Sequence, residues 1–77
     1  MKAATVAKQL RIAGFEVESF DEADDLTDGA VVLSDSIHVQ VGAGYLAVVE
    51  FRQDGTFLFH AYTNSISTII DELQKCV

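Results

Sequence analysis

YLAVVEFRQDGTFLFHAY, residues 45–62, decides how this chain folds. Two apolar runs flank Asp54-Gly55, a dipeptide that favours chain reversal because Gly takes positive φ freely and Asp tolerates it. A two-residue type I′ loop at Asp54-Gly55 turns the runs into a β-hairpin. Upstream, AVVLSDSIHVQV (30–41) supplies two more strand-like runs, and Gly42-Ala43-Gly44 joins them to the hairpin as a three-residue loop. The expected centre is a four-stranded antiparallel meander.

The loop lengths set a register, and strand alternation then sorts side chains into faces. Glu50 is expected opposite Phe59, and Val48 opposite both Ala61 and His38. One face collects Ile37, Val39, Val41, Tyr45, Ala47, Val49, Phe51, Leu58, His60 and Tyr62, and it is assigned to the core. The other collects His38, Gln40, Leu46, Val48, Glu50, Arg52, Phe57, Phe59 and Ala61. That second face is not properly polar. Leu46, Val48, Phe57 and Phe59 form an apolar patch rimmed by His38, Gln40, Glu50 and Arg52, and such patches mark interaction surfaces.

Two helices bracket the strands. Ala3, Val6, Ala7, Leu10 and Ala13 recur at helical spacing within residues 2–13, and Gly14 stands where a helix ends. Ile66, Ile69, Ile70, Leu73 and Val77 form a stripe within 64–77, with Asn64 or Ser65 as cap and Lys75 in the last turn. Residues 15–20, FEVESF, alternate at first and read as a short edge strand with Glu16 and Glu18 turned to water. Residues 21–29, DEADDLTDG, read as an acidic loop with room for a helical turn from Glu22 to Leu26 capped by Asp21. The expected fold is a two-layer α+β domain spanning residues 1–77. Its order is α-β-β-β-β-β-α, with both helices on one face of a four- to five-stranded antiparallel sheet.

Composition bounds the function. Seventy-seven residues with 49% hydrophobic content suit one small core. No apolar run approaches the roughly 20 residues that cross a bilayer, so a cytoplasmic protein is expected. Twelve acids against five bases give a formal charge of −7, the wrong sign for direct nucleic-acid binding or an anionic membrane. The charges are segregated as well. No Lys or Arg occurs between Arg11 and Arg52, while seven acids fall within residues 16–28: Glu16, Glu18, Asp21, Glu22, Asp24, Asp25 and Asp28.

Catalytic and metal patterns are weak. A calcium loop starting at Asp24 puts Leu26 and Asp35 at positions that need an oxygen ligand and a bidentate Glu. His38 and His60 fall on opposite faces, Cys76 is the only cysteine, and zinc spacing is missing. Gly42-Ala43-Gly44 has no following Lys or helix to hold a phosphate. His60 reads as a hydrogen-bonded residue at the core edge. No enzyme activity, cofactor or metal is expected.

The remaining class is a non-enzymatic interaction module. The acidic run would steer binding to another protein's basic surface, where it competes with nucleic acid, and the Leu46/Val48/Phe57/Phe59 face would anchor it. Small size, acidity and lack of catalytic groups make the chain similar in type to phage-encoded inhibitors such as anti-CRISPR proteins, though it shares no motif with them. The alternative is a homodimer joined through the apolar sheet face, with charge serving solubility.

Overall fold

A computed structural model describes residues 1–76. Helix α1 (Ala3–Ile12) leads into strands β1 (Ser19–Asp21), β2 (Gly29–Val32), β3 (Ile37–Gly42), β4 (Tyr45–Phe51) and β5 (Phe57–Thr63), and helix α2 (Ile66–Cys76) follows. The strands form one antiparallel sheet in the order β1-β2-β3-β4-β5. Both helices pack on the same face, giving the expected two layers. Val77 of the proposed helical stripe lies outside the described residues.

Helix α1 buries Ala3, Val6, Ala7 and Leu10, the small side chains that let a helix sit close to a sheet. It ends in a Schellman motif: Gly14 N–H donates to the Arg11 carbonyl and Phe15 N–H to that of Leu10, each at 3.0 Å. Ser65 begins α2, its Oγ accepting from Thr68 N–H at 3.4 Å, and Ile69 and Leu73 are fully buried beneath the sheet.

The loops depart from the sequence expectation, and they redistribute the faces. Residues 53–55 form the hairpin loop. Arg52 N–H donates to Thr56 at 2.8 Å, Gly55 N–H donates back to Arg52 at 3.1 Å, and Phe51 pairs with Phe57. Only Gly55 has positive φ (+88°), so a three-residue loop replaces the type I′ turn that would need it at Asp54 as well. Asp54 closes this loop by accepting from Thr56 N–H at 3.0 Å and Thr56 Oγ1 at 2.6 Å. Conversely, the Gly42–Gly44 connection is one residue shorter than expected. Gly42 pairs with Tyr45, so Val39 faces Val48 and Val41 faces Leu46.

A β-bulge completes the change. Val48 pairs with Ala61 as expected, but Val49 pairs with Phe59, which leaves His60 as the extra residue of β5. The bulge re-aims His60 to the helix side, where its Nε2 lies 2.7 Å from Glu50 Oε1. Glu50 itself pairs with Leu58 and Ile37 rather than Phe59. His60 is thus a hydrogen-bonded residue at the core edge.

The helix-facing side of the sheet therefore carries Val31, Ile37, Val39, Val41, Leu46 and Val48. Leu46 (2% exposed) and Val48 (0%) belong to the core, not to the outer patch. Tyr45, Ala47, Val49, Phe51 and Tyr62, assigned to the core from sequence, share the opposite face with Phe57 and Phe59. Deleting side-chain volume at Leu46 leaves a cavity in the core between sheet and helices, whereas Phe57 is 58% exposed. Leu46→Ala is expected to cost roughly 2–5 kcal/mol in urea unfolding, and Phe57→Ala roughly 0.5 kcal/mol or less. A reversed order of the two would contradict this face assignment.

Candidate functional site

The helices leave one sheet face open, and its side chains come from alternate positions of β3, β4 and β5. Ala47 and Val49 form a buried floor. Phe51, Phe57 and Phe59 stand along it in successive contact, with ring centroids 6.2 Å and then 5.7 Å apart. The half-buried His38 ring joins them, 4.7 Å from Phe51. These phenylalanines are 42%, 58% and 48% exposed, and Tyr62 is 71% exposed. Rings held edge to face on a rigid sheet need little further ordering to bind.

At the other end of the face, Tyr45 stacks on Tyr62 with centroids 4.8 Å apart and planes 7° from parallel. Its ring lies directly over Gly42, where a Cβ would clash with Tyr45 Cε1, so any larger residue at position 42 would push the ring aside. The Tyr45 hydroxyl donates to Asp28 Oδ2, which also accepts from Gln40 Nε2 at 3.1 Å. The Asp28 carboxylate stabilises the neutral phenol and pushes Tyr45 from 10.0 up to about 12. Between this polar corner and the phenylalanines runs an open groove of about 430 Å³, floored by Ala30 and Val49 and walled by Gln40, His38 and the three rings.

The acidic run divides into two groups. Glu22 caps helix α1 from a distance, its two oxygens accepting from Ala3 N–H at 2.7 Å and Ala4 N–H at 3.1 Å. Asp24 accepts from Leu26 N–H and Thr27 N–H, each at 2.8 Å, and from Thr27 Oγ1 at 3.2 Å. Those bonds, the Leu26 amide first, lower its pKa and close a tight bend where a helical turn capped by Asp21 was expected. Asp28 holds the Tyr45 corner. These three carboxylates therefore serve the fold. Glu16 and Glu18 precede β1, Asp21 ends it and Asp25 lies in the bend that follows; all four are exposed and make no ion pair among the described residues.

The paired part of the β1 edge is shorter and later than expected. Strand β1 begins at Ser19, because the Val17 carbonyl accepts from Arg11 Nη2 at 3.4 Å and Phe15 and Val17 pack against the core. Arg52 is exposed and directly follows Phe51, its N–H bonded to Thr56 at the mouth of the hairpin loop. Glu50, expected beside His38, faces the helices. Of the predicted interface set, the structure brings together Phe57, Phe59 and His38 and removes Leu46 and Val48. Gln40 stays on the open face as expected, while Tyr45, Phe51 and Tyr62 belong to it and were missed, since the shorter glycine loop reverses the side of β4 and of the β5 residue paired with Ala47.

Charge is divided as sharply as polarity. None of the five strands contains a Lys or Arg; the basic side chains are Lys2, Lys8 and Arg11 on or beside α1, Arg52 in the hairpin loop and Lys75 on α2. No described helix is long and apolar enough to cross a membrane. The chain matches no protein-family model, no curated protein and no solved structure.

The Tyr45–Asp28 bond has a testable consequence. A phenol whose pKa is raised on folding adds stability that is fully present below pH 10 and fades as pH climbs through about 12. Asp28→Asn should bring Tyr45 back towards 10, read as an earlier rise in phenolate absorbance during alkaline titration. An unchanged curve would mean that Asp28 does not hold the hydroxyl.

Proposed function

We propose that this chain is a non-enzymatic protein-interaction module that docks a partner's basic surface on the open face of its sheet. The observation that carries the reading is the uncovered row Phe51–Phe57–Phe59, rigidly mounted opposite both helices. Hydrophobic rings at the centre of an interface supply most of its affinity, and charges at the rim supply rate and selectivity. Here the rim is one-sided: Glu16, Glu18, Asp21 and Asp25 line the far edge, and no strand offers a competing cation. The most specific form of this function is an inhibitor that occupies a partner's nucleic-acid-binding groove, with carboxylates standing where phosphates would lie.

A basic probe protein such as a linker histone separates docking from mere charge attraction. Phe57→Asp with Phe59→Asp makes the chain more acidic, so pure electrostatics predicts tighter binding. Docking on the face predicts at least about tenfold weaker binding, since buried aromatic anchors dominate interfaces. Changing Glu16, Glu18, Asp21 and Asp25 to Lys should remove most of the salt dependence while leaving the fold intact, because none of them is a structural cap. Tighter binding by the Phe-to-Asp variant would refute docking on this face.

Self-association through the same row is a second reading, favoured by a β5 edge strand, FLFHAYT, that carries neither Lys, Arg, Asp nor Glu. Light scattering distinguishes it directly. A dimer has twice the 8.4 kDa chain mass, and Phe57→Asp returns that mass to the monomer.

A further inference from the structure

We infer that the groove between the Asp28 corner and the phenylalanine row receives an arginine side chain of the basic partner; this rests on the docking function proposed above and specifies what that surface recognises. The groove offers what a guanidinium needs. Phe51, Phe57 and Phe59 line one wall, and a flat, weakly hydrated cation packs favourably on aromatic rings. A carboxylate stands at the opposite end. Both hydrogen bonds to Asp28 fall on Oδ2, from Tyr45 and Gln40, so Oδ1 retains its acceptor capacity. Gln40 spends its Nε2 donor on Asp28, which leaves its own carbonyl oxygen as a second acceptor.

Charge complementarity selects the occupant. Neither Lys nor Arg lines the groove, and its only full charge is the Asp28 carboxylate. An anionic or nucleotide ligand would meet that carboxylate with no cation to offset it. A purely apolar side chain would contact the rings and make no use of the Asp28 carboxylate. The groove, about 430 Å³ and open along its length, has more room than one guanidinium fills, so the arginine arrives as part of a larger surface that covers the rest. The Tyr45–Tyr62 stack and Gly42 hold the acidic corner in place, which makes the site preformed.

The test uses the full chain, NMR chemical-shift mapping at low salt, and three blocked peptides: an Arg-Gly-Gly repeat and the same repeat with lysine or with citrulline. The arginine peptide should bind most tightly, the lysine peptide more weakly, and the citrulline peptide at least about tenfold more weakly than arginine. Shifts should centre on Phe51, Phe57, Phe59, His38 and Gln40. Asp28→Asn and, independently, Phe57→Ala should each weaken arginine-peptide binding by roughly tenfold, the size of one charge-assisted contact. Phe57 is exposed enough for its variant to stay folded even if Asp28→Asn does not.

Equal affinity for the citrulline peptide would overturn recognition of the cation. Binding that maps to Glu16, Glu18, Asp21 and Asp25 and ignores both variants would overturn the groove while leaving a basic partner in place. Absence of binding by either cationic peptide would overturn both the groove and the function on which it rests. A chain that dimerises with the phenylalanine row protected would assign the face to a second copy instead.

Discussion

Side-chain alternation along β4 is the constraint on which this structure depends. Seven residues, Tyr45–Phe51, must supply both the floor of the helix-packed core and the floor of the open face. Leu46 and Val48 point to α1 and α2, while Ala47 and Val49 point away yet remain buried beneath the aromatic rings. A slip of one residue would expose Leu46 and Val48 and press Tyr45 and Phe51 into the helix layer. The neighbouring strands hold the register through six pairs with β3 and six with β5. The His60 bulge lets β5 satisfy that register with a three-residue loop, and it places an imidazole beside Glu50, so that the carboxylate on the helix side has a hydrogen-bond partner.

The acidic segment follows from the same economy. In a chain of 77 residues, few groups can serve binding alone. Glu22 reaches back 19 residues to the start of α1, which has no side-chain cap of its own at Lys2. Asp24 folds the bend, and Asp28 ties β2 to Tyr45 at the head of β4. Glu16, Glu18, Asp21 and Asp25, in and around β1, are left exposed and without such a structural bond. Acidic side chains there also discourage another strand from pairing with it. The β5 edge has no such guard. The two ends of the sheet therefore differ in charge, with carboxylates near the β1 end and an uncharged β5 at the other.

Much of the fold was legible because it is written in periodicity. The 3.6-residue spacing of Val6, Ala7 and Leu10, the stop at Gly14 and the Ile69–Leu73 stripe all depend on local sequence, so both helices and the order of strands could be read directly. The faces could not, because they depend on loop length. Asp54-Gly55 is compatible with a two-residue loop, yet Gln53 joins it and Asp54 instead binds Thr56. Ala43-Gly44 reverses the chain without Gly42, whose open space is taken by the Tyr45 ring. The bulge gives no sign in sequence, since its purpose appears only once Glu50 is known to face the helices. His38 lies upstream of the misjudged glycine loop, and Phe57 and Phe59 kept their side because the shifts at the two loops cancel for them. Tyr45, Gln40 and Asp28 meet from three separate elements, and no spacing along the chain announces that junction.

The most direct measurement is solvent relaxation enhancement by a soluble gadolinium chelate, read on aromatic and methyl NMR signals of the free chain. Phe51, Phe57, Phe59 and Tyr62 ring signals should broaden strongly, with the Leu46 and Val48 methyls protected as fully as those of Ile69 and Leu73. That pattern would establish that the aromatic rings, and not Leu46 and Val48, form the open face. Protected phenylalanine rings alongside exposed Leu46 and Val48 methyls would contradict the account at its foundation.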